Sequence, residues 1–151
     1  MVDNYQKNGV FLGIDFGLKR IGISLGQSIT NQARPLIIIQ NDKSSSQKID
    51  DIINEWMPLC VIIGYPVSDK KNLFMNELNQ FIDNLSIKYQ DKINILKFSE
   101  VLSTEEAKTR LKKMRSSGVQ KKRKKYIDDV SASLILENWL NENIKDRNGN
   151  R

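Results

Sequence analysis

The sequence predicts an α/β fold built on a mixed sheet, and three observations carry that expectation. Two apolar runs, Val10 to Ile14 and Ile21 to Leu25, are joined by a link too short for anything but a hairpin, which makes them antiparallel neighbours. Two later apolar runs, Leu59 to Gly64 and Ile93 to Phe98, each follow a stretch of helical period, the arrangement that yields parallel strands through crossover helices. The run from Leu59 to Gly64 is apolar throughout, as a strand covered on both faces requires.

In chain order, Val10, Phe11, Leu12 and Ile14 form the first strand, interrupted by one acid, Asp15. The link G-L-K-R contains Gly17, whose backbone freedom suits a tight turn. Ile21, Ile23 and Leu25 then alternate with small or polar partners, the period of a half-buried strand. Ala33 to Ile39 reads as a third strand. Pro35 lacks an amide hydrogen, so it belongs at that strand's start or on an edge. Serines in K-S-S-S-Q offer N-caps for a helix over Gln47 to Met57, with Ile49, Ile52, Ile53, Trp56 and Met57 on one face and Pro58 ending it.

A second helix over Leu73 to Tyr89 turns Phe74, Leu78, Phe81, Ile82 and Leu85 inward, and the strand after it ends at Ser99-Glu100. Ser103-Thr104-Glu105-Glu106 fits a capping box opening a helix through Met114. Residues 115–125 have no apolar period and read as a basic mobile loop. A final helix runs from near Tyr126 to about Asn143, with Ala132, Ile135, Leu136, Trp139 and Leu140 on one face, and residues 145–151 are expected to fray. No repeat or linker divides the chain, so 1–151 is expected to be one domain.

Composition narrows the chemistry. Hydrophobic residues make up 39% of the chain and charged ones 28%, as in a globular domain. No apolar run approaches the length of a membrane span, and the N-terminal residues lack an apolar signal region, so a cytoplasmic protein with no membrane partner is expected. There is no histidine, which excludes His-based triads and His-containing zinc sites. The one cysteine, Cys60, lies in an apolar run and reads as an inert core thiol. Carboxylates remain as metal ligands, and hard oxygen donors select Mg²⁺ or Mn²⁺. The net charge of +6 favours a polyanionic partner.

Three acids stand out. A carboxylate in the middle of a buried strand, as Asp15 is expected to be, costs several kcal/mol or so unless its charge is compensated. A purely structural account would pair it with backbone amides, Lys19 or Arg20. Asp128 falls by helical steps above Ala132, Ile135 and Trp139, on the face that meets the sheet, whereas Asp129 is rotated toward solvent. Glu100 sits just past the C-terminal end of a strand, where α/β folds hold ligand-binding groups. If Asp15 lies on the central strand, Glu100 ends its neighbour and the last helix crosses that sheet, the three carboxylates converge. Clustered negative charges raise one another's pKa values unless a cation joins them, and divalent ions there would serve phosphodiester hydrolysis. The basic run Lys121, Lys122, Arg123, Lys124 and Lys125, just before Asp128, could hold phosphates beside such a site.

Several linked blocks resemble one family. I-D-F-G-L-K-R-I-G-I-S, A-R-P-L, V-I-I-G-Y-P, S-E-V-L-S-T-E-E-A and K-K-R-K-K-Y-I-D-D-V-S-A-S-L-I-L occur in the order found in the YqgF family, from about Phe11 to Leu140. The resemblance implies an RNase H-like mixed β-sheet flanked by α-helices, and the activities described for the family, Holliday junction resolution and pre-16S rRNA cleavage. It implies an acidic site at Asp15, Glu100 and Asp128, the acids reached above, acting as catalytic groups and metal ligands. Lys19 and Arg20 match the family's basic pair after the first acid, and Thr104 its final threonine in the glutamate block. The chain departs from the family's D-E-R by carrying Ser99, Glu100 and Val101, which removes an acid and a possible phosphate-binding arginine. The loop after G-Y-P also lacks the expected glycine.

The leading expectation is a Mg²⁺- or Mn²⁺-dependent endonuclease acting on structured nucleic acid. Its substrate is pre-rRNA at the 5′ end of 16S rRNA, or branched DNA as a Holliday junction resolvase, and it works as a monomer or homodimer. A two-fold dimer would favour symmetric junction cutting. A second expectation is a non-catalytic RNA-binding factor in ribosome biogenesis. A third, an ATP-handling domain, rests on I-D-F-G before a hairpin, but this chain has no room for the second domain such proteins close over nucleotide.

Overall fold

One hairpin, a returning edge strand and two crossovers build a single sheet. Among the described residues the strands are β1 (Val10–Phe16), β2 (Arg20–Gln27), β3 (Gln32–Gln40), β4 (Cys60–Tyr65) and β5 (Asn94–Ser99), and the helices are α1 (Ser45–Trp56), α2 (Leu73–Lys88) and α3 (Arg123–Asn143). The computed structural model describes residues 9–67, 71–99 and 123–144, with side chains in the last stretch from Val130 onward. The sheet order is β3-β2-β1-β4-β5. β2 runs antiparallel to both β1 and β3, whereas β4 runs parallel to β1 and β5. The mixed sheet therefore matches the expectation, with β1 at its centre. Pro35 lies on the edge strand, opposite Ser24, where the ladder register shifts, a place that tolerates a residue without an amide donor.

The pleat sorts β1 into two faces. Leu12, Ile14 and Phe16 pack against Ile49 and Ile53 of α1 and Met75, Leu78, Ile82 and Leu85 of α2. Phe11 packs on the opposite face against Ile135, Leu136, Trp139 and Leu140 of α3. β4 is covered on both sides, with Val61 and Ile63 toward α1 and α2, and Cys60 and Ile62 toward α3. Burying each such side chain is worth about 1.5–3 kcal/mol, which fixes strand register against a one-residue slip. Among the described residues, no helix is long and apolar enough to cross a membrane.

Helix ends differ from the sequence reading in instructive ways. Ser44 is the N-cap residue of α1 but makes no side-chain bond to the helix amides. Instead Asp42 Oδ1 accepts from the Ser44 amide (2.9 Å) and hydroxyl (2.6 Å), and those bonds lower the Asp42 pKa. Met57 is not on the inward face: it takes φ 47°, closes α1 by donating its amide to Ile53, and is 77% exposed. Pro58 ends the helix through Met57, because the residue before proline is pushed out of the right-handed helical region. α2 is capped by Asn72, whose Oδ1 accepts from the Met75 amide at 2.9 Å. α3 begins at Arg123, so Arg123, Lys124 and Lys125 belong to a helix and not to a loop. The helix expected from Ser103 through Met114, the loop from 115 to 122 and the tail from 145 lie outside the described residues.

Candidate active site at the end of the central strand

The seat of α3 determines what can meet at the C-terminal end of β1. Gly13 and Gly26 let the helix touch the sheet backbone. A methyl group at Gly13 would lie 2.7 Å from Leu136 Cβ and 2.9 Å from the Ala132 carbonyl oxygen, and one at Gly26 would lie 2.8 Å from Leu136 Cδ2. Between these glycines Ser24, fully buried on β2, donates its hydroxyl to the Ala132 carbonyl at 2.8 Å. Glu137 Oε2 accepts the Ala33 amide at 3.2 Å and joins the helix to β3. The helix is thus held over β1, β2 and β3 at fixed positions along its length.

Those contacts also set its direction. Phe11 meets Trp139 at a ring-centroid distance of 5.4 Å, and Gly13 meets Leu136 and Ala132. As β1 advances toward its C-terminus, α3 therefore recedes toward its N-terminus. Asp15 lies two residues beyond Gly13, about 6.6 Å along the strand. Asp128 lies four residues before Ala132, about 6 Å along the helix and close to the same angular position. Asp128 is described through its place in the helix alone.

Asp15 is the penultimate residue of β1 and half-buried, on the face that α3 covers. This corrects the expectation of an acid in the middle of a buried strand: the side chain keeps contact with water, and its desolvation cost is smaller. Its lateral neighbours carry no side chains. Asp15 pairs with Gly22 on β2, and the Ile14–Ile63 pairing brings Gly64 of β4 to its other side. Paired residues share a face, so the carboxylate stands between two glycines.

The remaining sequence candidates distribute as follows. Lys19 is exposed in the β1–β2 turn, and Arg20 opens β2, half-buried and opposite Gln40. Gly17 is required in that turn, but not for a left-handed backbone: a Cβ there would lie 2.6 Å from the Arg20 carbonyl oxygen. Glu100 follows Ser99, the last residue of β5, and lies outside the described residues together with Thr104, Lys121 and Lys122. β5 is not the neighbour of β1 as expected, since β4 stands between them and separates the strands by about 10 Å. Among the described residues no three His, Cys, Asp or Glu side chains gather into a metal-holding group, and of the three candidate acids only Asp15 has its side chain among them. Sequence reasoning overlooked Gly13, Gly22, Ser24 and Gly64. The signal was the alternation of small residues at positions 22, 24 and 26, which marks a strand face that a helix backbone approaches.

The family model described as "RuvX: Holliday junction resolvase" matches residues 9–142. A Buchnera aphidicola protein named "Putative pre-16S rRNA nuclease" is 37% identical over 135 residues, 87% of this chain and 96% of its own. A Hydrogenovibrio crunogenus protein of the same name is 34% identical, over 87% of this chain and 93% of its own. Among solved structures, Fowlpox virus resolvase with Holliday junction DNA aligns with TM-score 0.59 at 12% identity, covering 90% of this chain and 99% of that one. RuvC of T. thermophilus with a Holliday junction substrate aligns at 0.55 and 12%, covering 83% and 90%. At such identities the likeness concerns the fold, and it is the RNase H-like fold expected above. With its family model spanning nearly the whole chain and relatives above 30% identity along most of it, this protein belongs to the RuvX (YqgF) family.

Proposed function

We propose that this protein is a divalent-metal-dependent endonuclease that hydrolyses phosphodiester bonds in structured nucleic acid, with the 5′ end of pre-16S rRNA as its substrate. The observation that carries the proposal is Asp15: a half-buried carboxylate at the end of the central strand, set between two glycines, on the face covered by α3. The seat at Gly13 and Ser24 supports Asp128 as its partner across the gap, one helical turn before Ala132. Glu100, following β5 two strands away, is the third ligand in this reading.

The residues fit a hard dication. Oxygen donors without histidine or paired cysteine suit Mg²⁺ or Mn²⁺, and the absence of side chains at Gly22 and Gly64 leaves lateral room at Asp15. Asp15, Glu100 and Asp128 would hold the ion, which when bound supplies a water of lowered pKa and charge stabilisation for the leaving oxygen. Without a cation the three carboxylates would repel and take up protons. Lys19, Arg20, Thr104 and the basic run Lys121, Lys122, Arg123, Lys124 and Lys125 bind phosphates and position the strand. This reaction belongs in the cytoplasm with ribosome precursors, and one protomer suffices for a single cut.

Relatives named for pre-16S rRNA favour the RNA substrate. The family description favours a second reading, symmetric cleavage of a four-way DNA junction by a homodimer. A head-to-head assay ranks them: purified protein with Mg²⁺ or Mn²⁺, a pre-16S fragment and a four-way junction, with and without EDTA. We expect metal-dependent cleavage of the RNA and a loss of about a hundredfold or more in Asp15→Asn. Cleavage of neither substrate, with tight RNA binding retained, would leave the non-catalytic RNA-binding factor as the surviving account.

A further inference from the structure

The turn that carries Lys19 is fastened by a residue that neither the motifs nor the acidic site single out. Gly17, Leu18 and Lys19 link β1 to β2 at the end of the sheet where Asp15 stands. Asn41, one residue past β3, reaches that turn twice. Its backbone amide donates to the Lys19 carbonyl at 2.9 Å, extending the β2–β3 ladder one step beyond the Arg20–Gln40 pair. Its side-chain Nδ2 donates to the Gly17 carbonyl at 2.7 Å. Asn41 is itself held from both directions, by β3 behind it and by Asp42 ahead, whose carbonyl accepts the Ser45 amide (3.1 Å) and hydroxyl (2.8 Å) at the start of α1.

We propose that Asn41 is a positioning residue for nucleic acid: by holding the Gly17 and Lys19 carbonyls it presets the turn so that Lys19 meets a substrate phosphate at the end of the sheet where Asp15 stands. The inference rests on the nuclease reading above. A three-residue turn free on its outer side would have to be ordered each time substrate bound, and a turn ordered in advance avoids that loss. The hydrogen bond from the Asn41 backbone amide to Lys19 persists whatever side chain stands at 41, so hairpin closure survives substitution while the grip on Gly17 does not. Asn41 acts on binding and leaves the metal site untouched.

The test is a double-mutant cycle. Dissociation constants for a fluorescently labelled structured RNA are measured by anisotropy from 50 to 200 mM salt, beside kcat and Mn²⁺ affinity, for wild type, Asn41→Ala, Lys19→Ala and the double variant. We expect Asn41→Ala to weaken RNA binding about five- to tenfold and to flatten the salt dependence toward that of Lys19→Ala, by about one phosphate contact. Its kcat stays within about twofold and its Mn²⁺ affinity is unchanged, and in the Lys19→Ala background it adds less than about twofold. Asn41→Asp, which sets an acceptor against the Gly17 carbonyl, is expected to bind more weakly still, and it serves as the second probe if the alanine variant is poorly folded. Equal factors in the two backgrounds, or unchanged binding in both variants, would overturn the inference. So would a Lys19→Ala protein that binds RNA as wild type does, with the nuclease reading intact. A wild type that neither binds nor cuts RNA or junction DNA would instead bring down the nuclease reading itself.

Discussion

Gly13→Ala tests the geometry on which the active-site reading depends. The new methyl group would stand 2.4 Å from Ser24 Oγ, 2.7 Å from Leu136 Cβ and 2.9 Å from the Ala132 carbonyl oxygen. Ser24 can rotate away, but a Cβ and a helix carbonyl move only with α3 itself. Forcing a methylene-sized group into a packed contact costs about 1–3 kcal/mol. Lifting the helix also stretches the 2.8 Å Ser24–Ala132 hydrogen bond, a net loss of about 0.5–1.5 kcal/mol. The two together amount to roughly 2–4 kcal/mol, which for a chain of this size lowers the thermal midpoint by roughly 5–15 °C. The turn carrying Asp128 would rise with the helix, so RNA cleavage at a temperature where the variant stays folded should fall further than the folded fraction does. Calorimetry and a cleavage assay on the same preparation measure both. A midpoint within about 2 °C of wild type would show that α3 is not seated on the β1 backbone, and the approach of Asp128 to Asp15 would lose its support.

Other outcomes follow from the same structure. Gly64→Ala puts a methyl group beside Asp15, and we expect cleavage to fall about tenfold with a higher Mn²⁺ requirement, because a hydrated dication tolerates little distortion; an unchanged Mn²⁺ titration would count against the open lateral site. Tyr89 donates its hydroxyl to Asp50 Oδ1 at 2.5 Å, beside the Lys88–Asp50 ion pair at 2.9 Å. Tyr89→Phe should cost about 1 kcal/mol in urea unfolding at neutral pH. Burial first, and then the bond to Asp50, push the Tyr89 pKa up to about 12 from 10.0. The neutral phenol is therefore favoured in the folded state, and its stabilisation is complete below pH 10 and lost as pH rises toward 12. The gap between wild type and Tyr89→Phe should narrow over that interval, and a gap that widens would contradict the assignment.

How much of this was legible in the chain depends on the range of the interaction. The hairpin, the edge position of Pro35, the covered β4 and the inward faces of α1 and α2 follow from residues close in sequence, through period, turn length and missing donors. A serine does occupy the N-cap of α1, but its hydroxyl is turned back to Asp42 Oδ1 instead of onto the helix amides, and adjacency alone does not say which partner a serine hydroxyl takes. Met57 continued the apolar period yet points outward, because a local rule, the exclusion before Pro58, overrode the pattern.

What the sequence determined by itself is the kind of molecule: an α/β mixed sheet, a basic chain without histidine, and a family readable from linked motifs. Only the tertiary structure decided that β4 lies between β1 and β5, that Asp15 stands near the end of its strand between two glycines, and that Ser24 binds a helix carbonyl 108 residues away. The reason is physical: the period of a strand tells which face a residue takes, but strand order and helix seating are settled by packing between segments whose separation along the chain carries no local trace.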